Sequence, residues 1–368
     1  MIYLLSCRGL VSSVSYDSLF ELEDLMVSLL QGTLIIPTLK KELKFLINSI
    51  DSKTKKVFNK TFGLYNIEQF PISQTETPNI LFMIDVAGSC FELLSSIKNW
   101  RKKFDIVVAY ISDSWLLLKY QKKYLELIDY LFVPQPEVRE DIERGLGKKV
   151  FLLPFACDTL AHGSADLNRF IDVINFGRNN PDYHKILSEK FARESESNRF
   201  YYDVIARANQ KYPEIVSYRE RIDYQYRKQL FYLLRHSKLA LLFDNPYTKQ
   251  KRKIPYSYLT VRWFEASASG CAIVGKRPTT SLYNELFPWE NATIELPDDP
   301  QEGIEFIENL LEDESRLHTM HKRNYLENLI RNDWRHRIKY MLEVINIPLP
   351  NSLVQDLDKL QRIYSEGI

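Results

Sequence analysis

Glycine is scarce in this sequence, at 12 of 368 residues. None of it is spaced as Gly-x-Gly-x-x-Gly or as a Walker phosphate loop, which weakens NAD- and ATP-dependent readings. Cysteine is scarcer still. Cys7, Cys90, Cys157 and Cys271 are scattered, no two have metal-ligand spacing, and free thiols in a reducing cytosol are the expectation. Net charge is almost nil, with 49 basic against 48 acidic residues, so nothing global argues for a nucleic-acid partner. No apolar run approaches the ~20 residues of a membrane helix. Met1–Cys7 lacks the positive start and long apolar stretch of a signal peptide. These absences lead to an expected cytoplasmic location. No repeat of fixed period and no low-complexity tract is present.

What is present is ordinary for a globular protein: 45% hydrophobic and 26% charged residues, with 22 tyrosines and 20 phenylalanines. The length suits two domains. In the first part, apolar runs at Met1–Cys7, Thr33–Ile36, Asn79–Val86, Phe104–Ile111, Asp129–Val133 and Val150–Pro154 alternate with segments of helical spacing. That alternation predicts a parallel sheet covered on both faces. Residues 1–156 therefore read as one Rossmann-like domain without a dinucleotide fingerprint. Residues 157–170 read as a linker. A second such domain is expected over 171–345, from runs at Ile171–Phe176, Glu214–Tyr218, Leu239–Phe243, Cys271–Val274 and Thr293–Leu296, and a tail helix over 346–368. Tyr201–Gln210 is expected to be helical.

The stretch Leu259–Gly275 concentrates the chemistry. Thr260 is a plausible N-cap. Arg262 and Glu265 share a helix face, a run of small residues follows through Ser269, and Gly270 can end the helix at positive φ. A helix start with free amides seats phosphate, and a glutamate one to two turns in can accept from a sugar diol. Gly177-Arg178 follows a buried strand, and an arginine fork suits diphosphate oxygens. Lys185 lies about two turns further on. Asp113, at the carboxyl end of its strand, reads either as a helix N-cap or as an acceptor contact or base. His162 reads as a surface-loop histidine or as a residue reaching the site. The lysine-rich Leu39–Ile50 helix reads as a solvated face or as a seat on anionic lipid. The basic loop Lys249, Lys251, Arg252 and Lys253 lies beside the proposed phosphate seat.

Thr260, Arg262, Phe264-Glu265-Ala266 and Ala268-Ser269-Gly270 resemble the nucleotide-sugar motif of GT-B glycosyltransferases, nearest to the spore-maturation-protein-like (CgeB-like) group of family 1-type enzymes. The resemblance covers roughly Ile171–Leu342. Asn332-Asp333-Trp334-Arg335-x-Arg337 is similar to that family's closing motif. The resemblance implies two Rossmann-like domains facing a central cleft. It places the donor site in the second domain and has the C-terminal helix cross back onto the first. It implies transfer from a nucleotide-diphospho sugar to a glycan, lipid or protein acceptor. Arg178, Glu265, Asp113 and His162 are the catalytic candidates. Gly177, Arg178, Lys185, Thr260, Arg262, Glu265, Ser269 and Gly270 are the donor-binding candidates. No separate cofactor and no essential metal are expected, and peripheral contact with the inner membrane face would come through Leu39–Ile50. Many retaining relatives carry a second glutamate where this chain has Ser257. An inactive binding or scaffold protein on the same fold is therefore the alternative.

Overall fold

The computed structural model describes residues 1–8, 16–39, 65–66, 77–88, 91–191, 198–204, 227–248 and 256–367. The expected Glu214–Tyr218 strand, the basic loop 249–253 and the Leu39–Ile50 helix, apart from Leu39, lie outside them. Contacts divide the chain into two compact units.

The first unit holds Met1–Pro154 and Ile345–Ser352. Its strands are β1 (Ile2–Leu5), β2 (Thr33–Ile35), β3 (Thr38–Leu39), β4 (Tyr65–Asn66), β5 (Ile80–Val86), β6 (Ile106–Ser112), β7 (Tyr130–Val133) and β8 (Phe151–Leu152). Six of them form a parallel sheet in the order β2-β1-β5-β6-β7-β8, while β3 and β4 pair antiparallel. The central strands are nearly continuous apolar runs because helices cover both faces. Helix Asp17–Leu30 buries Leu19, Leu22, Met26 and Leu29, the helical spacing read in the sequence. It stops where Gln31 turns left-handed at φ 51°. Cys7 is disulfide-bonded, against the expectation of a free thiol there; Cys157 and Cys271 are free, and Cys90 lies outside the described residues.

The second unit holds the described residues of 155–344 and those from 353 onward. Its strands are β9 (Ile171–Phe176), β10 (Tyr201–Val204), β11 (Ser237–Phe243), β12 (Ala272–Lys276) and β13 (Ile294–Glu295). They form one parallel sheet in the order β10-β9-β11-β12-β13. β10 replaces the helix expected from Tyr201. Its Tyr-Tyr-Asp-Val sequence is aromatic and β-branched, and pairing with β9 satisfies its backbone. One face of the sheet packs Val173, Leu241, Phe243 and Val274 against Tyr183, Leu187, Ile304 and Ile307 of helices Pro181–Lys190 and Pro300–Glu312.

The stretch expected as a linker is built into this unit. Cys157 bridges to Asp333. Arg169 is buried and donates to the carbonyls of Leu234, Ser237 and Ser269 at 3.2, 2.8 and 2.9 Å. The tail divides at its start. Ser352, grouped with the first unit, donates to Leu29 O at 2.5 Å. Leu357, Leu360 and Ile363 of helix Asn351–Glu366 pack with Tyr325 and Leu329 of the second unit.

Candidate active site

Within the second unit, the carboxyl ends of β9 and β11 and the start of helix Val261–Ala268 bring polar groups together. Gly177 follows β9 at φ +83°, and a Cβ there would lie 3.0 Å from Arg262 Cδ. Only glycine adopts that backbone without strain. Arg178 Nη1 donates to Asn245 Oδ1 and, at 3.2 Å, to the Tyr258 hydroxyl. Arg262 lies directly below, its Nη1 donating to Arg178 O at 2.9 Å and its Nη2 to Phe243 O at 3.2 Å. Burial, and then the neighbouring Arg178 cation, push Arg262 down to about 10. Arg262 thus fastens the ends of β9 and β11 to each other.

Arg262 and Glu265 share a helix face but do not pair with each other. Glu265 Oε1 accepts from Arg227 Nη1 at 2.8 Å, with both side chains buried. The Arg227 guanidinium carbon sits 4.8 Å from the Phe231 ring centroid. His162 stacks on the same ring at 3.9 Å with a 2° interplanar angle. Helical spacing aligned Arg262 and Glu265 correctly. The partner came from a different helix, which spacing does not encode.

Thr260 has N-cap backbone angles, φ −96° and ψ 162°, but its hydroxyl makes no capping bond. Thr260 Oγ1 is buried without a protein partner, as is Asn245 Nδ2. Asp244, also buried, accepts from Asn245 N at 2.7 Å. Burial pushes its carboxyl up, against hydrogen bonds from the Ser257 hydroxyl and the amides of Asn245 and Tyr258. Ser257 Oγ also accepts from Thr279 N at 2.8 Å. The residue standing where relatives carry a glutamate is therefore a loop fastener. Asn180 caps helix Pro181–Lys190 and donates to Tyr247 O at 3.1 Å, tying the loop after β9 to the loop after β11.

The remaining candidates of the second unit lie apart from this cluster. Ser269 and Gly270 sit at the opposite, buried end of the helix. Gly270 at φ +73° leaves a Cβ 2.3 Å from Ser164 O, and Arg169 bonds Ser269 O. They close the helix against its neighbours, as a tight helix exit requires. Lys185 is exposed on its helix. Asp113 belongs to the first unit, where it follows β6 in a left-handed conformation at φ 44° and makes no side-chain cap bond. Sequence reasoning missed Asn245, Tyr258 and Arg227. Asp-Asn-Pro directly after a buried strand was the available signal for Asn245. The chain's Asp-x-Asp, Asp356–Asp358, lies in the tail helix, where Asp356 accepts from Arg335 Nε at 2.6 Å.

Residues 189–343 match the model of a family described as glycosyl transferase-like. No curated protein matches the chain. Among solved structures, a Staphylococcus aureus TarM variant, crystallised with Fondaparinux, alpha-GlcNAc-glycerol and UDP, is 11% identical with a TM-score of 0.46 over 73% of this chain and 55% of its own. This chain therefore spans about half the length of TarM. A glycosyltransferase from Rickettsia africae is 9% identical with a TM-score of 0.46, covering 93% of this chain and 97% of its own. CalG4, the calicheamicin glycosyltransferase, is 10% identical with a TM-score of 0.36, covering 95% and 100%. The match does not reach the spore-maturation-protein-like subgroup. Residues 189–343 thus match the glycosyl transferase-like family, within a chain whose two units are each built on a parallel α/β sheet.

Proposed function

We propose that the chain transfers a glycosyl group from a nucleotide-diphospho sugar, and that the donor diphosphate sits at the carboxyl edge of β9 and β11. One observation carries this reading. Arg178 and Arg262 crowd two guanidinium groups onto one edge, beside a glycine at positive φ and the start of a helix. Like charges held together this way repel unless an anion joins them. Thr260 Oγ1 and Asn245 Nδ2 add polar atoms that lack a protein partner at the same edge.

In this reading Arg178 meets charge building on the leaving diphosphate, which is preorganised electrostatic stabilisation. The amides of the helix start contribute as well. Arg262 holds the two strand ends in place. Glu265, positioned by Arg227, accepts from ribose hydroxyls. No metal is needed, because the cations are the protein's own. The acceptor is a hydroxyl of a glycan, lipid or protein, and the location is the cytoplasm.

The test is a thermal-shift panel with UDP, GDP, ADP, TDP and CMP on the wild type and on Arg178→Ala. Ligand at a hundredfold excess over Kd raises stability by roughly 2.7 kcal/mol. A shift for one nucleotide that disappears in the variant supports the reading. No shift with any nucleotide at millimolar concentration favours the scaffold alternative, with Ser257 as its sequence clue.

A further inference from the structure

The first unit carries a second charged surface, remote in topology from any strand's carboxyl end. Helices that follow parallel strands return to the strands' amino ends, so the segments preceding β6, β7 and β8 line one edge of the sheet. The amino ends of these adjacent strands receive Lys98, Lys102 and Lys103 before β6, Lys122 and Lys123 before β7, and Lys149 before β8. All six are exposed. Among the described residues their ammonium groups make no ion pair, and those of Lys123 and Lys149 lie over aromatic rings. Across neighbouring strands at ~4.8 Å spacing, the band is only about 15 Å wide.

The acidic residues beside them do not balance this charge. Asp129 is paired with Arg101 at 2.5 Å, and Asp105, Glu126 and Glu143 are the carboxylates set against the six lysines. The whole chain carries a net charge of only +1, so the six lysines make this edge locally positive in a nearly neutral protein. Favourable interaction with helix C-termini accounts for one or two cations per helix. It does not account for Lys98 and Lys149, which lie outside helices.

We propose that this edge docks on an anionic lipid surface. Clustered lysines on a short front attract acidic headgroups, and the attraction extends about one Debye length, ~10 Å at 0.1 M salt. Leu127, at 42% exposure, follows Lys122 and Lys123 in the segment before β7 and offers an apolar contact for the interface. Single-stranded nucleic acid would need open rings for stacking. Here the ammonium groups of Lys123 and Lys149 lie 5.6 and 4.9 Å over the Tyr124 and Phe151 rings. The inference does not depend on the donor-site reading, since the residues belong to the other unit.

The test is sedimentation of the full chain with vesicles of phosphatidylcholine alone and with about one third phosphatidylserine. The variants are Lys102→Glu/Lys103→Glu, Lys122→Glu/Lys123→Glu and the milder Lys102→Gln/Lys103→Gln, with Lys322→Glu in the second unit as control. Binding to anionic vesicles at low salt is expected, with little to neutral ones and loss at ~0.5 M salt. Each lysine removed is expected to lower partitioning roughly fivefold, so the Gln pair falls between wild type and the Glu pairs. Absence of binding to anionic vesicles overturns the proposal, as does equal binding by all variants. Binding to heparin or duplex DNA without vesicle binding also overturns it, in favour of a soluble polyanion.

Discussion

Arg227 donates to Glu265 across 2.8 Å, and both side chains are buried. The pair is the main departure from what helix spacing alone suggests for Glu265. Removing one partner of a buried pair strands the other charge, at a cost of about 3–5 kcal/mol. Arg227→Met is therefore expected to destabilise the second unit strongly. Arg227→Met/Glu265→Leu is expected to recover much of that loss. Urea unfolding of both single variants and the double variant measures the coupling. Additive losses would show that the two charges do not depend on each other.

Arg178→Ala removes a partly exposed guanidinium and leaves Arg262, the strand fastener, in place. A charge-assisted hydrogen bond contributes about 1.5–3 kcal/mol. Nucleotide-diphosphate affinity is expected to fall roughly tenfold to a hundredfold, with the melting temperature of the free protein little changed. Calorimetric titration reads the first and a thermal melt the second. Unchanged affinity would remove Arg178 from the donor site.

Gly177→Ala places a methyl where φ is +83° and Arg262 Cδ is 3.0 Å away. Left-handed backbone at a non-glycine residue costs about 1–2 kcal/mol, and the contact forces Arg262 to yield. Stability and nucleotide affinity are expected to drop together, since the same strand end presents Arg178. A variant as stable as wild type would show that the turn relaxes freely.

Glu23 gives a pH dependence in the first unit. It is fully buried, accepts from the Ser6 hydroxyl at 2.7 Å and from Arg8 Nε at 2.9 Å, and its other oxygen has no partner. Burial outweighs the Arg8 cation and pushes Glu23 up to about 7, whereas the less buried Arg8 is itself held more firmly charged. A carboxyl raised on folding binds more protons in the native state than in the unfolded one. Stability therefore falls as pH rises from the unfolded value, ~4.3, through about 7. The expected loss is of order 3–4 kcal/mol, and Glu23→Gln is expected to abolish that slope. Denaturant unfolding at pH values across the window, compared between the two proteins, decides it. An identical slope in the variant would rule out Glu23 as its source.

Much of this molecule was legible from residue order. The runs Ile80–Val86, Ile106–Ser112, Ile171–Phe176 and Ser237–Phe243 are local patterns whose period and length state a buried parallel strand. The placement of Gly177, Arg178 and Arg262 together also followed, because strand-end and helix-start positions converge in such a sheet. Tyr201–Val204 misled, since a short aromatic run takes the state its neighbour offers, and β9 offered a free edge. Ser269 and Gly270 misled because small residues serve equally for ligand approach and for close helix packing. Here Ser164 and Arg169 occupy that space.

By itself the sequence determined the alternation of strand and helix, the parallel class of both sheets and the match of residues 189–343 to a glycosyl transferase-like family, because each depends on local period, punctuation and motif. Tertiary structure alone decided that Glu265 pairs with Arg227, that Arg262 fastens two strand ends, that Ser257 is spent on Asp244, and that Leu357, Leu360 and Ile363 of the tail helix settle against Tyr325 and Leu329. These pairings join residues far apart in the chain. Which partner a buried charge or apolar face finds is set by what folding brings within hydrogen-bond or contact distance, and the cost of leaving either unpartnered selects among the options.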